Sequence, residues 1–185
     1  MTILIGLTGY KHSGKDTLAK HILSRVPGGK KYAYADPLKA VCHSLFGWDL
    51  ERLNNDPEYK ESADDPYCQM LGMSRRQLLQ FIGTECFRER VDPDFWVKLT
   101  MTKIEQDNPK YAIISDVRFP NEAHAVWDRG GVIARVHRPD LGEPVDTHQS
   151  ETNIKFIIPD FIIRNNMDSE WESAAGLIEW VNSQL

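Results

Sequence analysis

Residues 9–17 read Gly-Tyr-Lys-His-Ser-Gly-Lys-Asp-Thr and follow directly on the apolar run Ile3-Leu4-Ile5-Gly6-Leu7. A glycine, four residues and then Gly-Lys, set between a buried strand and a helix, is the spacing of a phosphate-binding loop. Gly9 and Gly14 permit a tight turn that aims successive backbone N–H groups at a phosphate. A helix beginning near Lys15, with Leu18, Ile22 and Leu23 on its apolar face, adds a positive dipole end and unpaired donors. Lys15 adds a mobile point charge for outer phosphates. One position departs from the common pattern: Asp16 stands where Ser or Thr is usual, and Thr17 comes one place late. Both offer oxygen to a hydrated Mg2+, which prefers oxygen ligands and keeps several waters.

Three other places carry residues suited to the same chemistry. Tyr111 to Ser115 reads as a short, fully buried strand closed by Asp116. Ligands gather at the carboxyl ends of strands in parallel sheets, so Asp116 is placed to orient Mg2+ or its waters; the alternative is a cap for the helix after Phe119-Pro120-Asn121. On a regular helix Arg76, Gln80, Gly83 and Thr84 share one face, with Arg88 a turn beyond Thr84. Gly83 in mid-helix costs about 1 kcal/mol relative to Ala, which implies a close approach at that point. Arginines beside a Gln and a Thr can read a phosphate and a base edge together, or form a solvated face with a packing glycine. Residues 135–151 are polar and broken by prolines, which suits a lid bearing Arg138, or a surface loop ending in a Ser150 helix cap. Arg135 is the weaker lid candidate because it falls within a strand. Asn165 and Asn166 would border an adenine. Trp96 and Tyr34 could stack on a base, although aromatics in such elements usually belong to the core. His148 and Glu151 read as caps or surface contacts rather than metal ligands.

The elements that must position these residues alternate along the chain. A strand is expected over Lys30–Ala35, after the Pro27-Gly28-Gly29 break, then a helix with Asp36 as cap and Pro37 in its first turn. Residues 47–72 read as an irregular insertion. Ser74 is expected to cap a helix running through Phe87, followed by one over 94–106, strands at 132–137 and 161–164, and a last helix over 169–182. Strands interleaved with helices imply an α/β fold whose parallel sheet is covered on both faces. The 185 residues, 41% hydrophobic and 26% charged, suit one domain with a sizeable core. A net charge of -5 argues against a nucleic-acid polymer as partner. No stretch has membrane-spanning length, no signal-type segment opens the chain, and three scattered cysteines suit reduced thiols in the cytoplasm.

Four strings occur in order between residue 3 and about residue 167: the 9–17 loop, Tyr34-Ala35-Asp36-Pro37-Leu38-Lys39, Leu79-Gln80-Phe81-Ile82-Gly83-Thr84-Glu85, and Ser115-Asp116-Val117-Arg118-Phe119-Pro120-Asn121-Glu122. Together they resemble the deoxynucleoside monophosphate kinases of bacteriophages, which also carry Asp after the loop lysine. The resemblance implies a three-layer α/β/α P-loop kinase fold with a mostly parallel central sheet, a helical acceptor-binding region and a lid. It further implies one kinase domain over 1–185, with the acceptor-binding insertion at about 47–107 and the lid at about 138–152. The activity implied is ATP-dependent phosphorylation of deoxynucleoside 5'-monophosphates, with Mg2+. His12, Ser13, Gly14, Lys15, Asp16, Thr17 and Asn165 would then bind ATP, and Asp16, Thr17 and Asp116 would serve the metal. Lys11, Lys39, Arg76, Gln80, Arg88 and Arg118 would hold the acceptor, with Asp36, Leu38, Gly83, Thr84 and Trp96 around it. Lys15, Arg88, Asp116 and Arg138 would act on the transferred group. A host-cytoplasmic location follows if the source is a phage, and the oligomeric state stays open, a homodimer being one arrangement it allows. Animal-type phosphomevalonate kinases carry a similar Ser-Gly-Lys-Asp loop, so a small-molecule phosphate kinase is the alternative. A nucleotide-binding regulatory module ranks behind both, because the Asn-Lys-x-Asp string of guanine-specific switches is absent.

Overall fold

The computed structural model describes residues 2–142, 148–166 and 171–185. The 143–147 part of the expected lid and the expected helix start at Ser169 lie outside these residues. Contacts divide the chain into two compact units, one of residues 1–33 and 100–185, the other of residues 34–99.

The first unit is built on five parallel strands, β1 (Ile3–Thr8), β2 (Gly29–Tyr32), β3 (Tyr111–Ile114), β4 (Val132–His137) and β5 (Phe161–Arg164), in the order β2-β3-β1-β4-β5. Alternation along β1 explains the layering. Ile5 and Leu7 pack with Leu18 and Ile22 of helix α1 (Lys15–Arg25) and with Leu177 and Val181 near the C-terminus. Leu4 and Gly6 belong to the opposite face, where Val126 stands beside Ile133 and Val117. Such two-sided burial is why β1 and β3 read as apolar runs, whereas the edge strand β2 carries the exposed Lys30 and Lys31. The order reverses at β1, whose neighbours β3 and β4 lie on either side, so the loop leaving β1 opens at the switch point of the sheet.

Strand β2 stops at Tyr32 rather than Ala35, because its partner β3 ends opposite it at Ile114. Helix α2 (Asp36–Phe46) takes Asp36 as its first residue; Ala35, not Asp36, occupies the capping position. The expected irregular stretch 47–72 instead forms three short helices, α3 (Leu50–Asn55), α4 (Pro57–Glu61) and α5 (Pro66–Leu71). Each starts behind an aspartate whose carboxylate accepts backbone N–H bonds: Asp49 from Arg52, Asp56 from Tyr59, Asp65 from Tyr67 and Cys68. Pro57 and Pro66 fill first-turn positions that need no N–H.

Ser74 caps α6 (Arg75–Gln80) in a capping box with Gln77, as its spacing predicts. From Phe81 to Arg88 the chain then winds as a π-helix, with Glu89 N–H reaching Thr84 O at 3.0 Å. The face deduced from 3.6-residue periodicity therefore breaks at Phe81, which is exposed, while Gly83 and Thr84 are buried. Helix α7 (Phe95–Asp107) follows, then α8 (Pro120–Trp127), α9 (Gln149–Thr152) and α10 (Ala175–Gln184). Cys42, Cys68 and Cys86 are free thiols. Among the described residues no helix is long and apolar enough to cross a membrane.

Candidate phosphate-binding site

The loop between β1 and α1 is shaped by three residues with positive φ, Gly9 (142°), His12 (64°) and Gly14 (101°). Ser13 N–H closes a turn on Tyr10 O at 3.1 Å. Gly14 stands at the N-cap of α1 and brings no side chain to satisfy the first-turn donors, which have no partner within the helix. Lys15 curls back under the loop, its Nζ donating to Gly9 O at 2.7 Å and Tyr10 O at 2.8 Å. Burial pulls the Lys15 pKa down to about 8, helped by the nearby Arg118 cation and opposed by Glu151, Asp16 and Asp116. Those five groups thus form one electrostatic cluster. Asn165 Nδ2 donates to Ser13 O at 2.8 Å, so the end of β5 braces the loop. Arg138 Nη1 reaches His12 O at 3.4 Å. Arg135 instead spends its guanidinium on the carbonyls of Ile154 and Ile157, as a strand residue would.

Asp16 is exposed, and its Oδ1 accepts from Lys31 Nζ of β2 at 2.7 Å. Thr17 is exposed and Asp116 half-buried at the carboxyl end of β3. Beyond Asp116 the chain is held by Glu122, a 2%-exposed carboxylate that accepts from Arg118 N at 2.6 Å and Phe119 N at 3.0 Å. Pro120 occupies the first turn of α8, and Glu122 at the third helical position reaches back as in a capping box. The string Asp-Val-Arg-Phe-Pro-Asn-Glu is therefore a device for fixing the Arg118 backbone. The Arg118 side chain pairs with Glu151, whose other oxygen accepts from Lys11 N at 3.3 Å. Glu151 is 1% exposed. Neither a cap nor a surface contact, it links Arg118 to the loop. His148, not Ser150, caps α9, accepting from Ser150 N at 3.2 Å.

Lys31 and Glu122 are members of this site that sequence reasoning passed over, and Glu151 is one to which it gave a different role. Phe-Pro-Asn-Glu did carry a signal for Glu122; nothing local announces the other two.

The second unit holds the other candidates. Lys39 Nζ donates to Asn54 Oδ1 at 2.7 Å and lies 3.4 Å from Asp36 Oδ1. Arg76 Nε bonds Glu61 Oε1 at 2.6 Å, and Arg88 Nη1 bonds Pro93 O at 3.2 Å. The close approach at Gly83 is made by Leu38: a Cβ added there would lie 2.8 Å from Leu38 Cδ2. Trp96 is 3% exposed, donates from Nε1 to Gly83 O at 2.8 Å, and packs its ring against Phe87 and Phe95. It is a core side chain that locks the π-helix, and it offers no exposed face to a base. Tyr34 is buried as well.

Adjacent arginines differ sharply. Arg75 is 5% exposed, stacks 4.0 Å over the Tyr59 ring, and donates from Nη1 to Ser62 Oγ at 2.5 Å and to Asp64. Arg75→Ala is expected to destabilise the protein by about 2 kcal/mol through lost charged hydrogen bonds. Arg76→Ala should cost less, since its side chain is the more exposed of the two arginines; equal urea midpoints for the two variants would contradict this division.

Residues 67–172 match the family model described as deoxynucleotide monophosphate kinase. Over 184 aligned residues, 91% of each chain, the sequence is 34% identical to an Acanthamoeba polyphaga mimivirus protein provisionally assigned as a deoxynucleotide monophosphate kinase. It is 27% identical over 177 residues to the deoxynucleoside-5'-monophosphate kinase of Escherichia phage T5, covering 66% of this chain and 70% of that one. The crystal structure of TT1252 from Thermus thermophilus aligns with all of this chain and 98% of its own, with a TM-score of 0.51 and 16% identity, a likeness of fold.

Proposed function

Because the chain belongs to the deoxynucleotide monophosphate kinase family, we propose that it transfers the γ-phosphoryl group of ATP to a deoxynucleoside 5'-monophosphate. An oxygen of the acceptor phosphate bonds to the γ-phosphorus, the bond to the β–γ bridging oxygen breaks, and ADP and the deoxynucleoside diphosphate leave. The acceptor oxygen is already ionised near neutral pH, since a phosphate monoester's second pKa is about 6, so no strong general base is required. What remains is positioning and neutralising charge. The observation that carries this reading is the cluster of Lys15, Arg118 and Arg138 about the glycine-turned loop that leaves β1 at the switch point of the sheet.

In this reading the N–H groups of His12 and of Gly14 to Thr17 cradle the ATP phosphates, and Lys15 leaves the Gly9 and Tyr10 carbonyls for the β- and γ-oxygens. Asn165 keeps the loop in shape beside the adenine. Arg138 covers the phosphates from the β4 side. Arg118 and Lys11 face the transferred group, while Lys39, Arg76, Gln80 and Arg88 bind the acceptor. Leu38, Gly83, Thr84 and Trp96 act as the scaffold that holds Gln80 and Arg88 in register, and Asp36 tethers Lys39.

The donors present suit Mg2+. Asp16, Thr17 and Asp116 supply only oxygen, two carboxylates and one hydroxyl. A cation that keeps waters and leans on substrate phosphates fits such a sparse set. When bound, it supplies charge neutralisation across the β- and γ-phosphates. Asp16→Asn is expected to raise the Mg2+ concentration for half-maximal turnover about tenfold or more, the effect of roughly one charged ligand bond. The melting temperature should barely move, since the exposed Lys31 pair contributes little. Unchanged Mg2+ dependence would remove Asp16 from the metal.

A panel of monophosphates offered with ATP tests the whole reading. Diphosphate should form from one or more of the four deoxynucleotides. Phosphorylation of phosphomevalonate alone would overturn it.

A further inference from the structure

Glu151 plays no part in the chemistry just described, yet it buries a carboxylate beside a phosphate-binding loop, where a negative charge opposes the ligand. A buried ion pair is weak evidence for stability. Its geometry supplies a different reason. Oε1 accepts from Nη1 of Arg118, which follows β3, and Oε2 accepts from the Lys11 N–H of the loop that follows β1. The carboxylate thus ties two neighbouring strand ends together through α9, at 1% exposure. Glu122 fixes the Arg118 backbone, but a backbone clamp leaves the long side chain free to rotate. Glu151 holds the planar guanidinium by one nitrogen, Nη1. The fork has five donors, so others remain for a phosphate oxygen.

Building on the kinase reading, we propose that Glu151 is a positioning residue that acts through Arg118, holding its guanidinium and the Lys11 peptide in the orientation that meets the transferred phosphoryl group. Its contribution is realised in the transition state rather than in ground-state ATP binding.

The test is a double-mutant cycle of E151Q and R118Q, with E151D as a second variant, each checked for folding by circular dichroism. E151Q keeps the shape and loses the charge. It should lower kcat about 10- to 100-fold, the usual effect of losing an orienting partner, with the KM for ATP changed less than threefold. E151D keeps the charge and should recover part of kcat. The double variant should be no slower than R118Q alone, because the two residues act in series. Additive losses in kcat, or an E151Q kcat within twofold of wild type, would overturn the proposal. Should E151Q not fold, E151D carries the test, with equal losses in the wild-type and R118Q backgrounds as the overturning result. A wild-type protein that phosphorylates no deoxynucleotide sinks the kinase reading instead; the same cycle read in urea midpoints then decides whether Glu151 and Arg118 act as a unit, and additive midpoint changes would overturn their pairing.

Discussion

Lys15→Met is expected to lower kcat/KM for ATP by about 10²- to 10³-fold, the usual loss when a charge-stabilising donor is removed from a reacting centre, while making the ligand-free protein more stable. The two effects share a cause. Burial holds the Lys15 pKa near 8, against 10.5 in an ordinary lysine. Folding therefore disfavours the charged form, and between pH 8 and 10.5 the unfolded chain binds more protons than the folded one. Stability rises with pH across that window, and the penalty is fully present below a pH of about 8. It amounts to at most about 3 kcal/mol, reduced by the bonds that Lys15 makes to Gly9 O and Tyr10 O. Methionine removes both the charge and the penalty. Urea unfolding at pH 7 and pH 10 checks the stability: K15M should exceed wild type at pH 7, and the difference should shrink towards pH 10. A variant less stable than wild type at pH 7 would show that Lys15 supports the loop rather than straining it.

The second large effect is expected from Gly9→Ala, with a loss of about 2–4 kcal/mol in stability and of measurable ATP binding. Backbone strain at φ 142° contributes one part and overpacking the other. A Cβ at Gly9 would stand 2.5 Å from Val136 O, which is backbone, and 2.8 Å from Ser13 Oγ. The first contact cannot yield without shifting β4, and the second pushes on the loop itself. Gly130→Ala is the matched control. It has φ 72° but nothing within 4 Å of its would-be Cβ, so it carries only the strain, about 1 kcal/mol. Urea midpoints and an ATP titration read the contrast; similar costs at the two glycines would mean that the Val136 contact is not rigid.

The loop, the parallel sheet and the acid closing β3 could all be read from residue order, because each rests on local spacing or on an apolar run long enough to identify. The helices between Leu50 and Leu71 could not be read by periodicity, since five or six residues do not complete a pattern; the aspartates before them held the information. The continuous helix face deduced over Arg76–Arg88 is interrupted for a different reason. Counting by 3.6 assumes one helix type throughout, and the winding changes at Phe81, where Gly83 packs against Leu38 and accepts from Trp96. Glu151 was illegible because its partner in the loop is 140 residues away in sequence. Lys31 follows Lys30 on a strand, and its pairing with Asp16 of the loop has no local mark in the sequence.

The π-helix over Phe81–Arg88 has a consequence for how this chain tolerates insertion and deletion. Each residue of an α-helix turns about 100°. The i→i+5 bonds of the π segment accommodate extra chain at a smaller turn per residue. Deleting one residue between Ile82 and Cys86 would let the segment relax into ordinary α geometry, the wider step per residue making up for the residue lost. Arg88 would then stay near the side of the helix it now occupies. A gap of one residue in an alignment across this segment therefore leaves the face beyond it in place, and relatives should be compared here by helix geometry before their residues are matched by letter.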